Sequence, residues 1–498
     1  MARALAGLGH DVHLLCQDRD AGRLEWVDSV GDWGGGELRV VAAEGPGSPG
    51  VGSITVYRPD IAGLLPVYVE DRYAGFEVKA FPDLTDPELE RYIAANVAAV
   101  RDVDASIGGA HAALANHLIM GPAILARAGL RFAAKVHGSA LSYTVKPNER
   151  FLPYAREGMS GAEAVLVGSA HTAASLWDTI AEPSVEAKTR LGPPGVDVEA
   201  FAPEQPGEDT LADLARRLAS AEPPAASTDS FDRNPAEAAS ALDAYAGGPG
   251  PRVAFVGKLI VSKGCDLLLA AWPLVLAARP DARLLVAGFG AYRDALEDLW
   301  TAIVAEDLAR AREIAELGWE LEGGERRRLP LLAGFLRDPP AGWAQAAAAG
   351  ASSVSFAGRL EHGEVADVLA GSDAIVVPST FPEAFGMVAA EAASAGVLPV
   401  CAGHSGLAEV AGALDAALPE AARGLTAFPL DPGAVAGIAA RLNRWFELEP
   451  AVRSESEAAL RATVERNWSW QGVARSVLDA SAGELERLTA VPSVDPAR

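Results

Sequence analysis

Short apolar runs, each closed by a turn residue and spaced by helix-length stretches, recur in two series along this chain, and that alternation narrows the folds open to it. The second series is the cleaner one: "RVAFVG", the helical "CDLLLAAWPLVLAA", then "ARLLVAG", "SVSFAG", "DAIVVP", a further helix and "VLPVCA". Runs so uniformly apolar lack the period-two pattern of a half-exposed strand, and they read as strands of a parallel sheet covered on both faces. The first series opens with the helix end and strand of "MARALAGLGHDVHLLCQ" and continues through "ELRVVAA", "DASIGGAHA", "LRFAAKVHGS" and "GAEAVLVGSAHT". At 498 residues the chain exceeds one ordinary core. Two α/β domains of roughly 200 residues each, with a cleft between them, are expected.

The boundaries follow from breaks in the pattern. Residues 1–201 form an expected N-terminal domain, and the Pro-, Ala-, Ser- and acid-rich residues 202–250 a linker or surface insertion with one helix near 209–221. A second domain is expected over 251–430. Within it the roughly sixty residues around 292–350 exceed a minimal crossover and read as a surface elaboration. Residues 431–498 read as helices, the last packing back on the first domain.

Charge and cysteine content exclude several classes of function. A net charge of -25 and a pI near 4.7 argue against nucleic acid or an anionic membrane as partner, since both require a basic surface. Cys16, Cys265 and Cys401 are odd in number, far apart and set in apolar stretches, as reduced cytoplasmic thiols are. No run reaches the ~18 apolar residues of a membrane helix, and the first residues lack a signal-peptide pattern. Membrane association is at most peripheral on this reading.

In open parallel sheets ligands bind beyond the carboxyl ends of the strands. Four loops there carry chemistry. "VGKLIVSKG" ends a strand at Gly257 and supplies Lys258 and Lys263, which suit a diphosphate or are two solvated surface lysines. "PSTFPEAFGMVAAEAASAG" sets Glu383 on a Pro-flanked turn and Glu391 eight positions on among small apolar residues, where a carboxylate needs a partner. The amides of Phe385, Gly386 and Met387 read as a helix N-terminus able to donate to phosphate or hydroxyls. If all eight residues are helical, the two glutamates are about 12 Å apart along the axis and address two ends of one ligand. "AAKVHGS" places His137 at a strand end, as a catalyst or as a satisfied structural histidine. His111 and His117 in "GGAHAALANHL" suit acceptor contact or simple packing. The fourth loop, "CAGHSGLAEV" with Glu409, is a weak motif alone. "DRD" at 18–20 and "DVD" at 102–104 are expected by chance among 67 acidic residues, so no metal role is assigned, and "GFG" at 288–290 lacks the third glycine of a dinucleotide fingerprint.

Taken in order, "FVGKLIVSKGCDLLLAAW", "LLVAGFG", "FAGRLEHGEVADVLAGSDAIVVPSTFPEAFGMVAAEAASAG" and "GLAEV" resemble the nucleotide-sugar-binding domain of the family-four retaining glycosyltransferases, also called glycosyl transferases group 1. "ARALAGLGHDVHLL", "VHGS", "AVLVGSAHT" and "GPPGVDVEAFAP" resemble that family's acceptor domain. The likeness covers nearly all but residues 205–250 and 292–350. It implies the GT-B fold: two Rossmann-like parallel-sheet domains facing each other across a cleft, with a helical C-terminal tail. It further implies that Lys258, where the family more often has arginine, and Lys263 hold a nucleotide-diphosphate-sugar donor. Glu383 would contact the sugar hydroxyls, Glu391 the ribose, the amides of 385–387 the sugar and phosphate, and His137 the reacting face. Transfer would retain configuration by front-face attack without metal or other cofactor, onto a small-molecule, glycan or lipid-linked acceptor. Glu70 and Arg72, in "VEDRYAGF", are weak acceptor-side candidates beside His111. The chain departs from the family by starting after the usual first strand and glycine-rich loop, so the N-terminal sheet is expected to lack a strand. A non-catalytic sugar-nucleotide-binding protein and a GT-B nucleotide-sugar epimerase are the alternatives.

Overall fold

A computed structural model describes residues 1–48, 50–68, 73, 75–138, 140–204, 209–221 and 233–492. The chain forms two compact units. Among the described residues, one contains those within 1–195 and 469–492, the other those within 196–221 and 233–468.

The first unit holds two four-stranded sheets. β1 (Val12–Leu15), β2 (Ser29–Gly34), β3 (Glu37–Ala42) and β4 (Ile54–Arg58) pair in the order β1-β4-β2-β3. After the small parallel pair β5 (Leu64–Val67) and β6 (Glu77–Ala80), the strands β7 (Leu114–Asn116), β8 (Ala133–Val136), β9 (Ala164–Val167) and β10 (Thr189–Leu191) form the second sheet, ordered β10-β9-β8-β7. The single parallel sheet expected here is therefore divided, with β1 and β7 as edge strands of separate sheets. "ELRVVAA" also differs from expectation. It is β3, antiparallel to β2, and its Val40 and Val41 are exposed. The cause is local: Gly35 and Gly36, both at positive φ, form a two-residue hairpin turn whose twist suits antiparallel pairing. Between β6 and β7 runs the helix Asp86–Ser106, started by a capping box in which Thr85 and Glu88 satisfy each other's backbone N–H groups. The helix Trp470–Ala482 packs in this unit against β8 and β9, where Val477 and Ala480 meet Ala133, Ala164 and Leu166.

The second unit is a six-stranded, wholly parallel sheet of β11 (Arg252–Val256), β12 (Arg283–Ala287), β13 (Val354–Gly358), β14 (Ala374–Val377), β15 (Leu398–Ala402) and β16 (Ala427–Phe428), ordered β13-β12-β11-β14-β15-β16. All five strands anticipated in this half are present. Central β11 buries Val253, Ala254 and Phe255, and β14 buries Ala374, Ile375 and Val376, as a sheet with helices on both faces requires.

Two segments read as peripheral are part of this core. Residues 202–250 supply the helices Thr210–Ala219 and Pro235–Ala246, whose Leu211, Leu214, Leu242 and Tyr245 are fully buried. The first is the helix expected near 209–221; the second was obscured by its weak amphipathic pattern and the linker-like composition of 202–250. The region after β12 forms the helices Arg293–Val304, Leu308–Leu317, Pro330–Phe335 and Trp343–Ala349. Trp343 is buried there and donates its indole N–H to the carbonyl of Ala270 at 2.8 Å, so the segment covers the helix Cys265–Leu276 instead of decorating the surface. The tail is helical, with Ala434–Glu447 and Pro450–Trp468 in this unit. No helix among the described residues is long and apolar enough to cross a membrane.

Candidate functional site

The adjacent strands β11, β14 and β15 end in loops that meet, which is where a parallel sheet concentrates its ligand chemistry. Gly264 makes the meeting possible. It adopts φ +67°, and a Cβ there would lie 2.1 Å from the Pro378 carbonyl oxygen, so only glycine lets the loop after β11 lie against the loop after β14. The N–H of Thr380 seals the contact by donating to the Ser262 carbonyl at 2.8 Å.

Lys263 is thereby brought to Glu383, Nζ to Oε1 at 2.5 Å. The Ser379 hydroxyl donates to the same Oε1 at 2.7 Å. From the loop after β15, Ser405 Oγ accepts the Glu383 N–H at 2.9 Å, and the Gly406 N–H donates to the Glu383 carbonyl at 3.0 Å. His404 Nε2 donates to the Ser379 carbonyl at 2.7 Å. Ser405 holds φ 54°, a left-handed conformation uncommon outside glycine and often retained where geometry serves a site. Glu383 is thus fixed at both its carboxylate and its backbone. Its partner is a lysine of this chain, a pairing that the separate ligand roles expected for the two residues did not include.

The helix following this loop is Met387–Ser394, not the full span from 383, so Glu391 lies about 6 Å along its axis from the first turn rather than 12 Å from Glu383. The helix carries no side-chain cap, leaving its first-turn N–H groups available to an anion or hydroxyl. Gly386 leads into it where a Cβ would lie 2.7 Å from Leu407 Cδ1. Phe385 is buried, its ring edge-on to Trp468 at 5.3 Å, and Met387 packs against the core. Glu391 is 7% exposed among buried alanines. Among the described residues its carboxylate makes no hydrogen bond or ion pair, and burial pushes its pKa up to about 7.

Gly257 donates its N–H to the Ala287 carbonyl at 3.1 Å, and its own carbonyl oxygen lies 1.9 Å from where a Gly288 Cβ would stand. The "GFG" turn after β12, set aside as a dinucleotide fingerprint, is thus packed on the loop after β11. Lys258 Nζ lies 5.9 Å from the centre of the Phe289 ring in that turn. Phe289, Ser379, His404 and Ser405 are members of the loop cluster that residue patterns alone did not single out. "CAGHSG" was the available signal for the last two. Glu409, from the same stretch, is exposed on the helix Ser405–Ala417.

His137 belongs to the first unit. It follows β8, with Nε2 3.3 Å from Asn116 Oδ1 and its ring 4.9 Å from that of His117. His117 follows β7, takes φ 69°, lies 4.3 Å from the ring of Tyr68 and has a buried Nδ1 without a partner among the described residues. Burial lowers both histidines to about 4, helped at His137 by His117 and Lys135. The pair is therefore neutral near pH 7. His111 is exposed ahead of β7, at the opposite end of that strand from His117. Glu70 and Arg72 lie outside the described residues.

Comparison with known proteins bears on this arrangement. Residues 344–462, which include Ser379, Glu383, Glu391 and Ser405, match the family model described as Glycosyl transferases group 1. A GDP-mannose-dependent monoacylated alpha-(1-6)-phosphatidylinositol monomannoside mannosyltransferase of Corynebacterium glutamicum is 28% identical over 227 residues, 44% of each chain. A glycogen synthase of Mycobacterium tuberculosis is 27% identical over 247 residues, 49% of this chain and 46% of that one. The chain spans a little under half the length of the curated relatives it matches. Among solved structures, the one titled trehalose-6-phosphate from E. coli bound with UDP-2-fluoro glucose superposes over 98% of this chain and 95% of its own, with TM-score 0.52 and 12% identity. That likeness shows the GT-B fold.

Proposed function

We propose that this chain, whose residues 344–462 match the group 1 glycosyltransferase model, transfers a sugar from a nucleotide-diphosphate-sugar donor to an acceptor hydroxyl, with retention of configuration and without a metal. The observation that carries the donor site is Glu391, a buried carboxylate with no partner of its own, one helical turn beyond a loop that fixes a lysine–glutamate pair. A ribose diol offers two hydroxyl donors to such a carboxylate. Lys263, with Lys258 from the same loop, supplies positive charge for the diphosphate as the bond to the sugar breaks, which is the part a metal would otherwise take. Glu383 accepts hydrogen bonds from the donor sugar's hydroxyls, its orientation set by Ser379 and Ser405. The amides of Phe385, Gly386 and Met387, which lead into the helix Met387–Ser394, donate to sugar and phosphate oxygens.

For His137 the family resemblance alone supports contact with the reacting sugar. As a neutral imidazole it is a hydrogen-bonding group rather than a cation. The acceptor is a small molecule, a glycan or a lipid-linked hydroxyl. Three free thiols, two of them buried, are in keeping with work in the reducing cytoplasm.

Thermal unfolding in the presence of UDP, GDP, ADP and their sugar conjugates tests the donor site. Ligand at a hundred times its dissociation constant adds about 2.7 kcal/mol. One nucleotide series is expected to stabilise the native chain and to lose its effect in both Glu391→Gln and Lys263→Ala. Stabilisation unaffected by either substitution, or absent for every nucleotide, would overturn the reading.

A further inference from the structure

The second unit has a cavity of about 480 Å3 at the end of its sheet where β11 and β14 begin, opposite the loops that form the candidate donor site. Arg252, Arg279 and Arg453 line it, against the carboxylates of Asp373 and Glu204. Asp373 is already committed. One oxygen accepts the backbone N–H of Arg252 at 2.9 Å, and the other pairs with the Arg453 guanidinium at 2.5 Å. Arg252 donates from its guanidinium to the Gly371 carbonyl at 3.0 Å, and Arg279 to the carbonyl of its neighbour Ala278 at 3.3 Å. Among the described residues neither guanidinium forms an ion pair.

Two half-buried arginines without a carboxylate, lining one cavity in a chain of net charge -25, stand against the charge balance of the molecule. Each guanidinium has five N–H donors in a planar fork that matches phosphate oxygens two at a time, and most of these donors are unspent. The volume lies in the lower half of the usual range for small-molecule sites, and the lining is polar. A compact, doubly charged ligand suits it better than an apolar or an extended one.

We propose that this cavity binds a small phosphate monoester, whose oxygens are held by Arg252 and Arg279 with Arg453 closing the wall. The site is separate from the candidate donor site: Asp373 and Pro378 flank the two ends of β14 (Ala374–Val377), about 16 Å apart along the strand. Isothermal titration of the full chain with glycerol 3-phosphate and with inorganic phosphate, in chloride buffer, tests it. One equivalent of glycerol 3-phosphate is expected to bind, at least as tightly as inorganic phosphate. Its affinity should fall tenfold or more in each of Arg252→Gln and Arg279→Gln and stay within twofold in Lys263→Ala. No binding at millimolar concentration, tighter binding of inorganic phosphate, unchanged affinity in either arginine variant, or a loss in Lys263→Ala would each overturn it. Arg279 makes one backbone hydrogen bond with its side chain, so Arg279→Gln keeps the test valid should Arg252→Gln disturb the start of β11.

Discussion

Lys263 and Glu383, 120 residues apart in sequence, form a 2.5 Å ion pair that joins the loop after β11 to the loop after β14. Both side chains are partly exposed, so the pair adds little to stability on its own. Its value is positional. Each residue holds the other at the end of the sheet proposed to bind the donor.

Lys263→Ala is predicted to lower sugar transfer by about 100-fold, the scale of losing one charged group that stabilises a developing anion. Glu383→Gln should lower it as well. Because the two touch, the double variant should lose less than the sum of the single losses by more than about 0.5 kcal/mol, measured as kcat/KM on a common donor. Strict additivity would mean that the pair does not act as a unit.

Glu391 gives a pH prediction with a definite sign. Its folded pKa, about 7, lies above the ordinary 4.5, so the native chain favours the neutral carboxyl. That contribution is complete below pH 4.5, declines as pH rises through 7, and is absent above. The difference of about 2.5 units corresponds to roughly 3 kcal/mol. Asp266, buried in the first turn of the helix Cys265–Leu276, shifts the same way to about 7. Glu391→Gln should therefore be more stable than the native chain at pH 8 without ligand, as read from urea midpoints, and lose that advantage near pH 5. An equal or lower midpoint at pH 8 would show that the carboxylate has a partner.

The histidine pair works in the opposite direction. His117 and His137 have folded values near 4 against an ordinary 6.5, so the unfolded chain takes up protons first as pH falls. Their contribution is complete above 6.5 and lost between 6.5 and 4. His137→Asn should be less sensitive than the native chain to a change from pH 7 to pH 5, measured as the difference between the two midpoints. Parallel curves would argue that His137 titrates normally.

Gly264→Ala should cost more than about 1 kcal/mol from the positive φ alone, before the contact with the Pro378 carbonyl is counted. Because that contact aligns Lys263 with Glu383, transfer should fall further than the stability change explains. A folded variant of native activity would show that the two loops need not touch.

Much of this site was legible because its parts follow strands. "RVAFVG", "DAIVVP" and "VLPVCA" are apolar enough to be read as buried, and parallel pairing then brings the residues that follow each of them to one end of the sheet. The isolation of Glu391 was legible too, since it has only alanine, valine and methionine for near neighbours in sequence. Contacts across 120 residues were not. Nothing local in "VSKG" indicates that the lysine turns toward Glu383, or that Ser379 and Ser405 fix the carboxylate. The helix Thr210–Ala219 was legible, since one helix was expected near 209–221, but Pro235–Ala246 was not: its buried Leu242 and Tyr245 stand among alanines, and the Pro-, Ala- and Ser-rich composition of 202–250 resembles a linker.

The chain leaves the first unit at Gly195 and returns to it at Ser469, so the helix Trp470–Ala482 that covers β8 and β9 is made more than three hundred residues after those strands. On a ribosome, where domains generally form in the order of synthesis, this reverses the sequence of completion. The second unit can close on itself while the first waits with Ala133, Ala164 and Leu166 uncovered. A premature stop near residue 468 would spare the candidate donor site and leave its neighbour without one wall.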